Sequence, residues 1–389
     1  MDIRPYDVAV VGLGAVGASA LYQLARRGIR AIGIERFTSP HDRGSSHGES
    51  RITRQAIGEG EAYVPLVLRS NAIWEELEVA TGERLLERCG FLFITRDDHG
   101  TSHHGKAGFL ERTRQAAERF DIPHELLDSD ELRRRFIQFT GLIGDERAYY
   151  EPGGGYLCPE RCIVASLGQA AAAGAVIESN CRVAAISRER GDVRLLSDAG
   201  TITASRVIIA TGGWFPELAD QAVARHVEVH RQLLHWFPVE QPAFYRPAAS
   251  PTFIWTHGLE STEQFYGFPP IDGAVKVARE DYDGRFDPDT GPRDVHPADG
   301  CDMAAKHVSG RLAGLGQNPT RSQVCHYAVT PDCDFLIDDD DRVQAISACS
   351  GHGFKHAAAI GEVVAQKAIG EDTAIDLSPF SAARFSPAS

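Results

Sequence analysis

Residues 8–35 spell out a unit that few folds can contain. The apolar run Val8, Ala9, Val10, Val11 enters Gly12-Leu13-Gly14-Ala15-Val16-Gly17. A helical stretch continues to Arg27, Gly28 closes it, and residues 30–34 rebuild a strand before Glu35, 18 residues beyond the third glycine. Strand, glycine turn, helix, strand and acid in this order form the βαβ unit that holds the ADP half of a dinucleotide. Gly12 permits the tight bend, Gly14 lets the backbone approach the pyrophosphate, and Gly17 lets helix and strand pack closely. The helix N-terminus supplies free N–H groups, and Glu35, followed by Arg36, can accept from the ribose hydroxyls. Glycines also occur in packed helices for no such reason, but here the flanking strand and helix and the acid at the right distance favour the nucleotide. FAD and NAD present the same ADP half, so the motif serves either.

Beyond residue 35 the period of the apolar pattern changes repeatedly. Helices are expected at 63–79, 106–120, 128–135 and 158–174, and strands at 91–95, 183–187, 193–196 and 201–203. The buried run 206–210 opens onto Thr211-Gly212-Gly213. From 227 to 277 aromatic and β-branched residues alternate with polar ones, the profile of an antiparallel sheet. A helix near 297–312 follows, then strands at 335–338 and 343–348, and Gly351-His352-Gly353 leads into an alanine-rich helix ending at 369. The predicted fold class is therefore α/β with an α+β second part: a Rossmann-like domain and an antiparallel-sheet substrate domain. The boundaries expected are 1–85, 155–222 and 325–389 for the first, discontinuous, and 86–154 and 223–324 for the second. First and last βα pieces should share one sheet.

Composition narrows the function. With 40 Lys and Arg against 54 Asp and Glu, the net charge of −14 argues against a nucleic-acid partner. No run reaches the roughly 18 apolar residues of a membrane helix. Eight cysteines without a CxxC pair fit reduced thiols, hence a cytoplasmic, unexported protein. His99, His103 and His104 fall in a polar, glycine-containing stretch and read as surface-loop residues; no metal site is expected.

Further along lie Pro40, His41, then Gly44, Ser45, Ser46, His47, Gly48, Glu49, Ser50, Arg51, Ile52, Thr53, Arg54, with Gly58, Glu59, Gly60 and Tyr63, Val64, Pro65. In order there follow Ala210 to Trp214; Tyr266, Gly267, Phe268, Pro269; Cys325 before Pro331, Asp332, Cys333, Asp334, Phe335; and Ser350, Gly351, His352, Gly353, Phe354, Lys355. In these motifs the chain resembles the monomeric sarcosine oxidase and N-methyl-tryptophan oxidase family over nearly its whole length, and the tract 58–69 is closer to the second branch.

The resemblance implies an FAD enzyme with the flavin tethered through Cys325. A free cysteine is otherwise a small buried hydrophobe. It implies that Arg54 and Lys355 hold a substrate carboxylate, a role that suits a guanidinium fork beside a compact ammonium. Lys276 matches an oxygen-activating lysine, although the spacing from Tyr266 is one residue short; the plain alternative is an outward-facing strand lysine. His47 and Arg51 match residues lining the flavin ring, Tyr266 a pocket wall. Ser45, Gly212 and the turn Gly351, Gly353, Phe354, Lys355 match cofactor contacts. Ser46 stands where the family has a second histidine, and Glu280 near where sarcosine oxidase has a pocket histidine; both departures touch the choice of substrate.

The reaction implied is oxidation of a secondary-amine amino acid (N-methyl amino acids, sarcosine) to an imine, with O2 reduced to H2O2, by a monomer. A cyclic imino acid is an alternative substrate. A nicotinamide-dependent dehydrogenase on the same βαβ unit, or a flavoprotein carrier without turnover, are the competing readings.

Overall fold

The structure, a computed structural model, describes residues 6–96, 102–246, 249–260 and 262–385. His99 and part of the loop expected around it lie outside them. Two large sheets, each of eight strands, organise the chain. In the first, Tyr6–Val11 is central, with Ala31–Ile34 parallel on one side and Gly200–Ile209 parallel on the other. Val343–Ser347 joins Gly200–Ile209 in parallel, so the first and last βα pieces do share a sheet. The strands expected at 201–203 and 206–210 are one strand, because Ala204 and Arg206 both stay in register with Tyr6–Val11.

The helix Ala15–Ala25 is buried almost throughout, between the helices Pro159–Ala172 and Ala357–Ile369. A Cβ on Gly361 would stand 2.5 Å from Ser19 Cβ, so glycine there is what lets Ala15–Ala25 and Ala357–Ile369 touch backbone to backbone. Fully covered parallel strands explain the unbroken runs Val8–Val11 and Val207–Ile209.

The second sheet runs Arg321–Val329, Glu228–Pro238, Ala274–Ala278, Gln264–Gly267, Thr252–Thr256, Phe91–Thr95, Arg147–Glu151 and Glu125–Asp128. It is antiparallel except where Phe91–Thr95 lies parallel to Thr252–Thr256. Its core is aromatic, with Phe139, Phe253, Trp255 and Phe265 packed together. A three-stranded sheet places Arg51–Thr53 beside Gly155–Leu157 and leads straight into Arg54.

Two helices differ from expectation. The helix expected from 106 begins at Phe109, because Lys106–Ala107 pairs with Ser102–His103 in a small hairpin. The helix near 297–312 is α-helical only over Pro297–Met303 and continues as a wider π turn to Val308. Among the described residues no helix is long and apolar enough to cross a membrane.

Candidate active site

A single cleft starts at the glycine turn of the first sheet and ends between the two large sheets. At its near end Gly12 has φ +88°, and a Cβ there would meet Ala210 O at 2.6 Å; a Cβ on Gly17 would meet Gly12 O at 1.8 Å. Both glycines are therefore required by the turn itself. Glu35 accepts from the Leu13 N–H (2.7 Å) and the Phe37 N–H (3.1 Å) and faces His41. Burial alone would raise its carboxyl pKa, but the hydrogen bonds from His41 and Leu13 outweigh that and lower it. Arg36 lines the cleft and pairs with Asp289 at 2.8 Å. Gly14, Ser45 and Gly212 lie on the same wall, and Ser46 Oγ accepts from the Ala15 N–H at the helix start (3.4 Å). The buried Thr211 hydroxyl has no partner among the described residues and lines this wall.

At the far end Arg54 and Lys355 share the cleft. Glu151 accepts from the N–H groups of Gln55 (2.6 Å) and Ala56 (3.1 Å), which fixes the backbone just after Arg54. Arg54 is 1% exposed and lies over the rings of Phe91 and Phe109. Its Nη2 donates to both carboxylate oxygens of Glu59 at 2.8 Å, and its Nε has no partner among the described residues. The guanidinium expected to be free for a ligand is thus already half engaged. Lys355 sits in the turn before the alanine-rich helix, its Nζ donating to His352 O at 2.7 Å. Burial pushes its ammonium pKa down to about 7 against the pull of Glu59. Tyr266 meets Tyr327 hydroxyl to hydroxyl at 3.1 Å, and burial raises its phenol pKa to about 12.

One expectation is overturned here. His103 and His104 are not surface-loop residues: they are 3% and 6% exposed, and the hairpin carries them into the cleft. His104 Nδ1 lies 2.9 Å from Glu59 Oε1, and Nε2 lies 2.8 Å from Glu280 Oε1. Carboxylates only accept, so both ring nitrogens donate and the ring is an imidazolium. Burial disfavours that charge, yet Glu280 and Glu59 lift the pKa to about 9. His103 turns the other way, to Gln264 at 3.0 Å. The residue pattern could not reveal this, because the acids that hold His104 lie far away in sequence. Ligand-type atoms of Glu59, His103 and His104 come within 4.8 Å of one another, but Arg54 covers both Glu59 oxygens and His104 spends both nitrogens. Glu59 and His104 are thus spent on hydrogen bonds with each other, Arg54 and Glu280.

Arg51 lines the cleft and links two expected residues, Ser45 and Cys325. It donates to Ser45 O at 2.7 Å and lies 3.5 Å from the Cys325 sulfur, which is 1% exposed. His47 is buried with neither ring nitrogen partnered among the described residues; burial, then Arg51, push its pKa down to about 3. Lys276 is 2% exposed, so the outward-facing alternative fails: its Nζ donates to Gly48 O and Ser50 O at 2.6 Å, 4.1 Å from the Phe268 ring centre. In the turn before Phe354, Gly351 has φ +83°, and a Cβ there would sit 3.0 Å from His104 Nε2 and 3.3 Å from Glu280 Oε1. A Cβ on Gly353 would strike Ala348 O at 1.9 Å.

A family model described as DAO, FAD dependent oxidoreductase, matches residues 7–367. The chain belongs to the FAD-dependent oxidoreductase family. N-methyl-L-tryptophan oxidases of Yersinia pestis (strain Pestoides F) and Yersinia pseudotuberculosis serotype O:1b (strain IP 31758) are 34% identical to it over 391 residues, covering 98% of this chain and 99% of theirs. Among solved structures, the open form of NikD, an amino acid oxidase of nikkomycin biosynthesis, has a TM-score of 0.84 at 23% identity over 97% of both chains. Glycine oxidase from Geobacillus kaustophilus has 0.78 at 22% identity over 98% of this chain and 99% of that one. These likenesses bear out the expected fold class, an FAD cofactor and a flavin amine oxidase acting on a small molecule with O2. They decide against the nicotinamide reading.

The near end of the cleft fits FAD. Two glycines without room for a side chain, a helix start that lines the cleft and a threonine hydroxyl unpartnered among the described residues are what a pyrophosphate group requires. Glu35 would take the ribose.

Proposed function

We propose that this FAD-dependent oxidoreductase oxidises an N-methyl amino acid with an aromatic side chain, N-methyl-L-tryptophan being the lead substrate. The observation that carries the reading is the meeting of Arg54 and Lys355, from distant segments, in one buried cleft that continues from the glycine turn. The 34% identity to N-methyl-L-tryptophan oxidases supports the side chain, as do Ile254, Tyr266 and Phe268 on the cleft wall.

When bound, FAD supplies the two-electron acceptor and passes those electrons to O2. The protein does the rest. Lys355 and the unspent donors of Arg54 receive the carboxylate, which fixes where the amine and its methyl group lie. The aromatic walls exclude water and leave the amine uncharged. The overall change is R–NH–CH3 + O2 + H2O giving R–NH2, formaldehyde and H2O2. Lys276 is the proposed oxygen-side lysine and Cys325 the proposed flavin tether, supported by its place beside Arg51. Sheet membership supports the boundaries expected from the sequence except that Arg321–Val329 straddles residue 325 and Leu86–Glu87 pairs with Gly155–Leu157; Arg54 and Lys355 reach the substrate from the FAD-side segments. We take the enzyme to be a monomer, as the resemblance implies.

The test is peroxide release from N-methyl-L-tryptophan set against its methyl ester. The acid should be oxidised at least roughly 100-fold more efficiently, since the ester removes a charge-assisted contact to each cation; equal rates would refute the docking. A fluorescent band on a denaturing gel, lost in Cys325→Ser, checks the tether.

A further inference from the structure

Glu280 enters the same cleft as Arg54 and Lys355, its side chain 7% exposed. Oε1 accepts from His104 Nε2 at 2.8 Å and Oε2 from the Tyr282 hydroxyl at 3.0 Å. A carboxylate offers about four lone-pair sites. Two are filled by these partners, and a buried acceptor left short of donors is costly. Its remaining lone pairs can accept from a donor that enters the cleft.

The charges around it say which kind. Arg54 is matched by Glu59 and His104 by Glu280. Among the described residues Lys355 is the cation of this group without a carboxylate within 4.0 Å; its bond goes to a carbonyl. Arg51, which also lines the cleft, has no carboxylate partner among the described residues either, but it spends its donors on Ser50 O, Ser45 O and the Cys325 sulfur. Beside Arg54 the unmatched charge is that of Lys355, which suits a substrate carboxylate next to an uncharged amine. Such a secondary amine carries a single N–H and a single lone pair.

We propose that Glu280 orients the substrate amine by accepting its one N–H, so that the lone pair stays free to assist C–H oxidation. This rests on the assignment of Arg54 and Lys355 to the carboxylate. Once those cations fix the acid group, the N–H is the donor nearest the reacting carbon, and Glu280 stands against the Gly351 turn only four residues from Lys355. Glu280 therefore selects secondary over tertiary amines.

The test compares N-ethyl-L-tryptophan with N,N-dimethyl-L-tryptophan, isomers of equal size of which only the first keeps an amine N–H when neutral. Binding is measured by equilibrium titration of the reduced, anaerobic holoenzyme, which cannot turn over, and kcat/KM by peroxide release. The wild type should prefer the secondary amine by at least about 100-fold, because sites built around a substrate N–H reject the analogue lacking it. Glu280→Ala should reduce the preference to within about fivefold, and Glu280→Gln, which keeps an acceptor oxygen and a similar volume, should fall between; the second variant serves if the first does not fold. Equal affinity of the wild type for the two isomers, or an undiminished preference in Glu280→Gln and Glu280→Ala alike, overturns the proposal while leaving the carboxylate assignment standing. Failure to bind either isomer overturns both.

Discussion

Arg54 holds both carboxylate oxygens of Glu59 from one guanidinium nitrogen, 2.8 Å to each, with the two side chains 1% and 0% exposed. Breaking a buried pair by removing one partner costs roughly 3–5 kcal/mol, and the His104 ring, 2.9 Å from Glu59, keeps the loss here toward the lower end. Arg54→Ala should lose stability of that order. Arg54→Met combined with Glu59→Gln should recover most of it without recovering substrate affinity. Denaturant unfolding and KM, measured on the same three proteins, separate the structural share from the binding share.

Lys355 binds a carboxylate only while protonated. With burial bringing its pKa to about 7, a ligand with a carboxylate and no amine, such as indole-3-propionate, should bind about tenfold more weakly for each pH unit above 7. Lys355→Arg should abolish that slope up to about pH 8.5, since a guanidinium stays charged. A Kd series from pH 6 to 8.5 shows it.

His104 titrates the other way round in stability. Its folded pKa of about 9 lies above the usual 6.5 because Glu280 and Glu59 overcome burial. Its contribution is therefore complete below pH 6.5 and disappears as pH rises to about 9. The 2.5-unit difference corresponds to about 3 kcal/mol. The destabilisation caused by His104→Gln should be larger at pH 6 than at pH 9.5 by that order, read from denaturant midpoints at both pH values.

The glycine turn was legible in the sequence because each part of it is local: strand, bend, helix and acid lie within residues 8–35, and both close approaches, at Gly12 and Gly17, are backbone against backbone. Cys325, Arg54, Lys355 and Tyr266 were found through resemblance, and the cleft gathers three of them directly. His104 escaped because a polar tract reads as surface unless its partners are known, and Glu59 and Glu280 reach it only through the fold. Glu59 was visible as part of a motif but not as the partner of Arg54. The hairpin at Ser102–His103 and Lys106–Ala107 was hidden for a related reason: it is held by Lys106 on Asp334 and by the two histidines, not by an apolar pattern.

Lys276 donates to two carbonyls and, among the described residues, pairs with no carboxylate. If it serves the oxygen side, Lys276→Met should slow oxidation of the reduced enzyme by O2 roughly 100-fold or more, the usual cost of removing a donor aimed at developing negative charge, while reduction by substrate changes little. Stopped-flow absorbance of the two half-reactions resolves them.

The most direct measurement is the stoichiometry of turnover with N-methyl-L-tryptophan under air. One formaldehyde and one H2O2 should appear for each tryptophan released, with no requirement for a nicotinamide. Binding without peroxide, or turnover only when NAD is added, would contradict the account.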